Sequence, residues 1–426
     1  MSENTDRTAE NEAENKKQNS DFHSVTLDSE KCKGCVACMK RCPTEAIRVR
    51  NRKARIHYER CVGCGECIRM CVHRAKRAVY DSLDILNNYK YKVALPAPSL
   101  YGQFNNLENL GHVNQGLKRL GFDEVFEVAV GAELISDATR QLLNEGKLKK
   151  PVISTACPAV LQLILLRYHS LTENLLDLQA PVDIAARLVR EKAERETGLS
   201  PEEIGVFFIS PCPAKVHALK IGLGHKKPLV DGVFAVSDIY MHLLNAMTPG
   251  EPCDEEPQTG ILGFAWASSG GEAAAVLKEK YVAADGIENC INILKELEHN
   301  RLQNVDFIEL NACVGGCVGG VMNIENPFVA RSKIRELRKY LPLSKNSLEK
   351  YGKTVEDMKW EEVPEISDVL ILDSDFAVAL RKMREIDTIT KELPGLDCGN
   401  CGAPSCRAFA EDVINGEADI NECNRR

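Results

Sequence analysis

The chain has 426 residues, 44% of them hydrophobic and 27% charged, and its formal net charge is -8. This length is enough for two or three domains with at least one large buried core. The acidic balance argues against nucleic acid as the main partner, because such binding needs concentrated positive charge. The sequence shows neither a run of about 18 apolar residues nor an apolar leader, so we expect no membrane association and a cytoplasmic location.

The 18 cysteines are the most informative residues in the composition. In a small secreted protein they would indicate disulfides, but in a longer chain without an export signal they indicate metal binding or catalysis. All but Cys253 and Cys290 fall into motifs, and those two are expected to be ordinary buried thiols.

Residues 1–22 are predicted to form a disordered acidic tail. The stretch "MSENTDRTAENEAENKKQNS" has no aromatic or large aliphatic residue after Met1. It therefore cannot bury enough apolar surface to offset the entropy lost on ordering.

Two cysteine runs with identical spacing follow in residues 23–85. They are "CKGCVACMKRCP" and "CVGCGECIRMCV", and in such CxxCxxCxxxC runs three thiolates hold one 4Fe-4S cluster while the fourth crosses to the other. The spacing gives two ligand sets, Cys32, Cys35, Cys38 and Cys71, and Cys42, Cys61, Cys64 and Cys67. Two zinc sites are the alternative, although zinc motifs usually pair CxxC with a distant second pair.

These runs resemble the two-cluster bacterial ferredoxins over about residues 24–80, which implies a small α+β domain. One departure is Val72, where those ferredoxins usually carry proline, and it affects local rigidity rather than ligation. Between the runs, "IRVRNRKARI" at residues 47–56 alternates as a hairpin does. Its basic residues most simply form a solvated face, and docking of an acidic electron carrier is the alternative.

Residues 86–340 alternate short apolar runs with helical stretches, which predicts an α/β domain with parallel sheets and flanking helices. The runs "KKPVIST", "IGVFFIS", "VDFIEL" and "GILGFAW" are predicted as strands. The first three are followed closely by Cys157, Cys212 and Cys313. Because ligand sites lie beyond the carboxyl ends of parallel strands, we expect these cysteines to converge with Cys317. Four thiolates match the ligand count of one 4Fe-4S cluster.

The cysteine motifs of this region carry a family resemblance. "TACPAV", "SPCPAK" and "ELNACVGGCVGG" resemble, in order and spacing, the three motifs of the catalytic domain of the iron-only FeFe-hydrogenases. "VALPAPSLYGQF", "GFDEVFEVAVGAEL" and "ASSGG" are similar to other segments of that domain. The glycines beside Cys313 and Cys317 would let the backbone approach a bulky group.

The resemblance implies a specific active site. The cysteines that would hold its 4Fe-4S cubane are Cys157, Cys212, Cys313 and Cys317. Cys317 would also bridge to a diiron subcluster that carries carbon monoxide, cyanide and a bridging azadithiolate. Lys215 would donate a charge-assisted hydrogen bond to one cyanide, and the backbone of Pro98 and Ser99 would contact the other.

Several residues depart from the family pattern. Ala156 stands where hydrogenases carry a second cysteine that moves protons to the bridging amine. Ser210 and Asn311 replace methionines, so we expect a more polar surrounding of the diiron site. Ala138 and Thr139 stand where the resemblance places acidic residues of the proton relay. General acid-base catalysis contributes on the order of a hundredfold or more, so these changes predict slow turnover.

Such departures resemble the divergent sensory branch of the hydrogenase family. We expect a slow hydrogenase that interconverts H2 with protons and electrons, uses a ferredoxin-like carrier and depends on hydrogenase maturation proteins. The alternative is an H2 or redox sensor that signals to a partner protein. A third interpretation is an iron-sulfur assembly protein that keeps the cubane without the diiron unit. Whether the chain forms a homodimer stays open.

The chain ends in a connection and a small module. Residues 341–392 are charged and amphipathic, which predicts helices that pack on a core. Residues 393–426 contain four further cysteines, Cys398, Cys401, Cys406 and Cys423. This pattern resembles the small 4Fe-4S module found in electron-transport complexes and in corrinoid-linked proteins, which implies a second electron port. Zinc is the alternative for these four thiols.

Overall fold

The computed structural model describes residues 22–247, 253 and 255–425. The predicted disordered tail lies outside the described residues except for Phe22. Within the described ranges, every helix is too short or too polar to cross a lipid bilayer.

The N-terminal domain is a small α+β unit. Its elements are β1 (Val25–Leu27), α1 (Ala37–Lys40), β2 (Ile47–Arg50), β3 (Lys53–Ile56), α2 (Glu66–Arg69) and β4 (Lys76–Ala78). Strand β1 pairs antiparallel with β4, and β2 pairs antiparallel with β3. The second pair is the hairpin that the alternating sequence predicts, and Asn51 and Arg52 at its tip have positive φ, as tight two-residue turns require.

The central domain is an α/β unit that begins at β5. Its first half contains β5 (Tyr91–Pro96), α3 (Pro98–Tyr101), α4 (Gly111–Arg119), β6 (Glu124–Val125), α5 (Val128–Glu145), β7 (Val152–Ile153), α6 (Pro158–Arg167) and α7 (Pro181–Thr197). Its second half contains β8 (Ile204–Ser210), α8 (Pro213–Ile221), β9 (Gly232–Ala235), α9 (Val236–Ala246), α10 (Ile261–Phe264), α11 (Gly271–Ala275), β10 (Tyr281–Asp285), α12 (Ile287–Glu298), β11 (Phe307–Asn311) and α13 (Pro327–Leu337).

Two parallel sheets form the centre of this domain. One has the order β6-β5-β8-β9 and the other β10-β11-β7. In β8, Val206 and Phe208 enter one hydrophobic cluster, whereas Phe207 and Ile209 enter another on the opposite face. Because helices cover both faces, the strand is apolar throughout, as is typical of parallel sheets.

The prediction of a strand for "GILGFAW" is wrong. Residues Ile261–Phe264 form α10, and Ala265–Ala267 form a 3₁₀ turn. A short apolar run cannot be assigned to strand or buried helix from its periodicity. Here the backbone of α10 packs closely on α5, because a Cβ placed on Gly263 would lie 2.1 Å from the carbonyl oxygen of Ala129.

The connection at residues 341–392 is helical only in its second half, where α14 (Phe376–Glu392) lies. The first half contains short 3₁₀ turns at Glu349–Tyr351 and Glu356–Met358 and is anchored on the central domain by the buried side chain of Met358. Pro342 and Pro364 interrupt the helical pattern there. The prediction of a helical connection is therefore only partly correct.

The C-terminal module contains α15 (Cys406–Ile414) and is fixed to the N-terminal hairpin. Arg48 donates two hydrogen bonds to Asp412, at 2.7 and 2.9 Å, and both side chains are buried. Arg50 donates a third at 2.7 Å, and the amide of Val49 donates to the carbonyl of Gly402 at 2.8 Å. The hairpin arginines Arg48 and Arg50 thus bind within the chain, which replaces the solvated face expected for them.

Candidate functional site

The carboxyl ends of the parallel strands meet as the sequence predicts. Cys157 and Cys212 each lie at the N-cap of a helix, α6 and α8, whose first residue is proline. Proline is tolerated there because the first amide of a helix needs no intrahelical partner. Cys313 lies two residues after the end of β11, and Cys317 starts a 3₁₀ turn.

The four thiols lie near one another and are partly buried. Burial raises the pKa of Cys212 to about 11, and the neighbouring thiols of Cys317 and Cys157 add to the rise. Burial, followed by Cys212 and Cys157, likewise raises the pKa of Cys313 well above its ordinary value. Such thiols stay protonated at neutral pH unless a metal takes the place of the proton.

The glycines of "ELNACVGGCVGG" mainly allow backbone segments to pack on one another. Gly315 and Gly316 have φ of 85° and 89°. A Cβ on Gly316 would lie 2.4 Å from the amide nitrogen of Ser269, and one on Gly320 would lie 2.3 Å from the carbonyl oxygen of Pro211. The glycines therefore pack this loop against the "ASSGG" and "SPCPAK" segments and hold Cys313 and Cys317 in place.

A cavity of about 60 Å³ lies beside Cys317. One enclosed water needs a cavity of roughly 10–15 Å³, so this cavity has room for several non-hydrogen atoms. Six of the residues predicted from the sequence line it: Pro98, Ser99, Ala156, Lys215, Asn311 and Cys317.

Lys215 places an ammonium group at the wall of this cavity. Its Nζ lies 3.4 Å from the Sγ of Cys317. Burial lowers the pKa of Lys215, whereas negative charge on the sulfurs of Cys317, Cys212 and Cys157, which they carry when a metal is bound, raises it above its ordinary value. The side chain therefore stays charged and provides donors for an anionic ligand.

Ser99 contributes a second polar group that is suited to a ligand. Its side chain is fully buried, and its hydroxyl has no hydrogen-bond partner among the described residues. A buried hydroxyl normally has a partner. The ammonium of Lys215, the hydroxyl of Ser99 and the thiol of Cys317 thus fit a compact group with anionic ligands, such as a diiron subcluster.

The residues that depart from the hydrogenase pattern occupy different places. Ala156 and Asn311 line the cavity. The hydroxyl of Ser210 instead donates to the carbonyl of Cys212 at 3.0 Å, so its donor is used within the chain. Ala138 and Thr139 are buried in α5, where the Thr139 hydroxyl donates to the carbonyl of Ile135 at 2.7 Å.

Two acidic residues that the sequence reasoning missed line the cavity, Glu272 on α11 and Glu309 on β11. The carboxylate of Glu309 accepts from the amides of Gly270 and Ala273 at 2.9 and 2.8 Å. Asn311 donates to it at 2.6 Å. A charged residue inside the apolar strand "FIEL" was the available signal for Glu309, whereas Glu272 gave no comparable signal.

Glu272 has far fewer donors than Glu309. The hydroxyl of Ser154 lies 2.7 Å from both of its carboxylate oxygens. Burial and the negative charge of Glu309 raise the pKa of Glu272 well above its ordinary value. Burial also raises the pKa of Glu309, but its three N–H donors favour the charged form, so of the two carboxyls Glu272 is the one that favours the proton.

The structure also brings the other three cysteine sets together. Cys42, Cys61, Cys64 and Cys67 line one small cavity, and Cys398, Cys401, Cys406 and Cys423 line another. Cys35, Cys71 and Cys32 all act electrostatically on Cys38. In the described part of the chain no group of His, Cys, Asp or Glu is compact enough for a single metal ion.

Contacts between the domains place some of the cysteine sets beside one another. Cys64 packs in the same hydrophobic cluster as Cys157 and Cys212. The second ferredoxin set is therefore adjacent to Cys157 and Cys212. At the other end, a Cβ on Gly399 would lie 2.9 Å from the side chain of Met39. This contact joins the C-terminal set to the helix that carries Cys38.

A family model described as iron only hydrogenase large subunit, C-terminal domain, matches residues 90–278 and 271–321, more than half of the chain. The chain belongs to this family. Residues 24–72 match a 4Fe-4S dicluster domain, and residues 393–425 match a putative Fe-S cluster family. These matches confirm the predicted family, the α/β catalytic domain and its two iron-sulfur modules.

Individual relatives agree with these assignments. Iron hydrogenase 1 of Clostridium pasteurianum is 24% identical over 289 residues, which are 54% of this chain and 50% of that protein. One component of the ion-translocating oxidoreductase complex of Thiobacillus denitrificans is 54% identical over 39 residues, 9% of this chain and 19% of that protein. The chain thus spans half the length of the first relative and about a fifth of the second.

Solved structures show the same fold. A variant of FeFe-hydrogenase HydA1 from Chlamydomonas reinhardtii superimposes with a TM-score of 0.51 at 16% identity, covering 65% of this chain and 95% of that one. The chain is thus a hydrogenase-like iron-sulfur protein with a dicluster domain before the catalytic domain and a cluster module after it.

Proposed function

We propose that this protein reversibly cleaves or forms H2 at an H-cluster, and that it does so slowly. The observation that carries the proposal is the cavity shared by Cys317, the ammonium of Lys215 and the unpartnered hydroxyl of Ser99. An assembly protein that holds only a cubane would have no use for a buried ammonium at this point.

Cys157, Cys212, Cys313 and Cys317 would hold the cubane, with Cys317 shared with a diiron subcluster. When bound, this subcluster, with its carbon monoxide, cyanide and azadithiolate ligands, supplies the metal that binds H2 and an amine base. Lys215 would orient the group through its donors, and the backbone of Pro98 and Ser99 would contact it as well. The apolar walls at Val128, Phe208 and Trp266 exclude bulk water.

Glu272 is the group that holds a proton at the cavity wall. Its carboxyl faces the cavity, and the hydroxyl of Ser154 fixes its position. The same hydroxyl accepts from the amide of Ala156 at 3.2 Å, so Glu272 connects to the place where a thiol would lie in a standard hydrogenase. The carboxyl compensates in part for that missing thiol.

Electrons would pass from the first ferredoxin cluster to the second and from there to the catalytic site, or in the reverse direction. Cys35 and Cys398 are exposed, so the first ferredoxin cluster and the C-terminal cluster are the two clusters at which a ferredoxin-type carrier can dock. The diiron subcluster would come from hydrogenase maturation proteins. This arrangement supports a relay with two electron ports.

Sensing is the second candidate function, and Ala156 is the observation that favours it. A methyl group at the cavity wall cannot carry a proton, so the cluster would stay in each redox state for longer. A long-lived state can be recognised by a signalling partner.

Turnover with a reduced dye tests the function and the role of Ala156. Wild-type protein with its cofactor inserted is expected to produce H2 well below the rate of standard hydrogenases. Ala156→Cys should give a modest gain, since one restored member of a proton chain helps little while others are missing. Ala159→Cys is the matched control, because Ala159 is buried in the adjacent core. Turnover as fast as that of standard hydrogenases would contradict slow catalysis.

A further inference from the structure

The two halves of the N-terminal domain repeat one structural unit. Residue 45 in the first half and residue 74 in the second have positive φ, of 53° and 51°. The next amide in each half donates to a cysteine sulfur at 3.2 Å, from Ala46 to Cys42 and from Ala75 to Cys71. These matched contacts make the following residues, Ile47 and Lys76, equivalent.

At this equivalent position the two halves differ in charge but not in burial. Ile47 is 2% exposed and Lys76 is 3% exposed. The Nζ of Lys76 has no hydrogen-bond partner among the described residues. An isolated ammonium is strongly unfavourable in a protein interior. The ammonium of Lys76 therefore needs a nearby negative charge. None of the described residues supplies one through a hydrogen bond.

The charge of Lys76 acts on cysteines of both ferredoxin sets. Burial raises the pKa of Cys38, Cys61 and Cys67, and the charge of Lys76 acts in the opposite direction on all three. Cys38 belongs to the first set, whereas Cys61 and Cys67 belong to the second. The ammonium thus lies within electrostatic reach of both cluster positions.

We propose that Lys76 is a buried counter-charge for the two ferredoxin clusters and raises their midpoint potentials. Each cluster gains one electron from a low-potential one-electron donor, and no bond breaks and no proton moves. The cluster becomes more negative by one charge while the ammonium stays as it is. The attraction between them is therefore stronger in the reduced state, and burial protects it from screening.

Raised midpoint potentials would affect electron transfer to the catalytic site. The second cysteine set lies beside the catalytic cysteines, so a raised potential there would hold electrons close to the catalytic site. The inference rests on the dicluster domain and does not require H2 turnover, so its test is independent of the proposed function.

Redox titration followed by electron paramagnetic resonance tests the role of Lys76. The full chain is used with its 4Fe-4S clusters and before insertion of the diiron subcluster. Lys76→Met and Lys76→Ile remove the charge and keep an apolar side chain, and isoleucine already occupies the equivalent position 47. We expect the reduction equilibrium of at least one ferredoxin cluster to fall about tenfold, or about 59 mV for one electron.

Two further variants separate charge from other effects. Arg77→Met removes a charge from the next residue, whose side chain is 52% exposed, and should change the potentials much less because solvent screens it. Lys76→Arg should keep potentials near those of wild type. Unchanged potentials in Lys76→Met and Lys76→Ile, or an equal shift in Arg77→Met, would overturn the proposal.

Cluster loss in a variant is informative as well. If Lys76→Met and Lys76→Ile lose iron while Lys76→Arg keeps it, the charge is needed to retain the clusters, which supports the proposal. Iron loss in all three variants would contradict it, because the shape of the lysine rather than its charge would then matter.

Discussion

Replacing Lys215 with methionine is expected to abolish retention of the diiron subcluster while leaving the cubanes in place. The ammonium lies 3.4 Å from the sulfur of Cys317, at the wall of the cavity. Methionine has a similar length but no donor, so an anionic ligand there would be buried without a partner. Breaking a buried charge pair in this way costs about 3–5 kcal/mol, which corresponds to a loss of occupancy by two orders of magnitude or more.

Infrared spectroscopy and iron analysis measure this effect together. The variant should lose the bands of metal-bound carbon monoxide and cyanide and keep the iron of its 4Fe-4S clusters. Lys220→Met is the matched control, because Lys220 lies on the same helix and pairs with Asp81 at 2.7 Å. Bands in Lys215→Met as strong as those of wild type would show that Lys215 does not hold the subcluster.

Glu272→Gln is expected to reduce H2 production about a hundredfold, the lower end of what a positioned proton donor contributes. Glutamine fills nearly the same space and can still bond to Ser154, but its amide cannot deliver a proton. Glu127→Gln is the control. Glu127 is also buried, and burial raises its pKa to about 7, but it does not line the cavity. Equal losses in both variants would show that neither carboxyl has a special role.

The pH profile gives a second measure of Glu272. Burial and Glu309 raise its pKa, so the protonated carboxyl persists from acid to near-neutral pH and is lost as pH rises through the raised value. The rate of H2 production by wild type should therefore fall as pH rises through the pKa of Glu272. The Glu272→Gln variant should not show this decrease. A step that persists unchanged in Glu272→Gln would assign the titration to another group.

Sequence alone predicted the features that depend on spacing along the chain. In each cysteine run, three thiols lie close together and the fourth lies further along the chain. This pattern predicts that Cys71 completes the ligand set of the first run and Cys42 that of the second. The convergence of Cys157, Cys212 and Cys313 follows from parallel strands, since their carboxyl ends share one edge. Both predictions rest on geometry that local sequence fixes.

Features that depend on packing between distant segments were not predictable in this way. The raised pKa of Glu272 depends on where α11 lies against the sheet, because Glu309 lies on β11 and Ser154 follows the end of β7. The hydroxyl of Ser210 donates to the backbone carbonyl of Cys212, which a comparison of residue types cannot show. Likewise, Arg48 and Asp412 are 364 residues apart, and nothing in either segment indicates the other.

Infrared spectroscopy of the protein produced with hydrogenase maturation enzymes tests the central claim most directly. Carbon monoxide and cyanide bound to metal absorb where protein does not. If the cavity beside Cys317 holds a diiron subcluster, the matured protein should show these bands, and they should shift when H2 is added. A protein with a complete set of 4Fe-4S clusters and no such bands would contradict the proposed H2 chemistry.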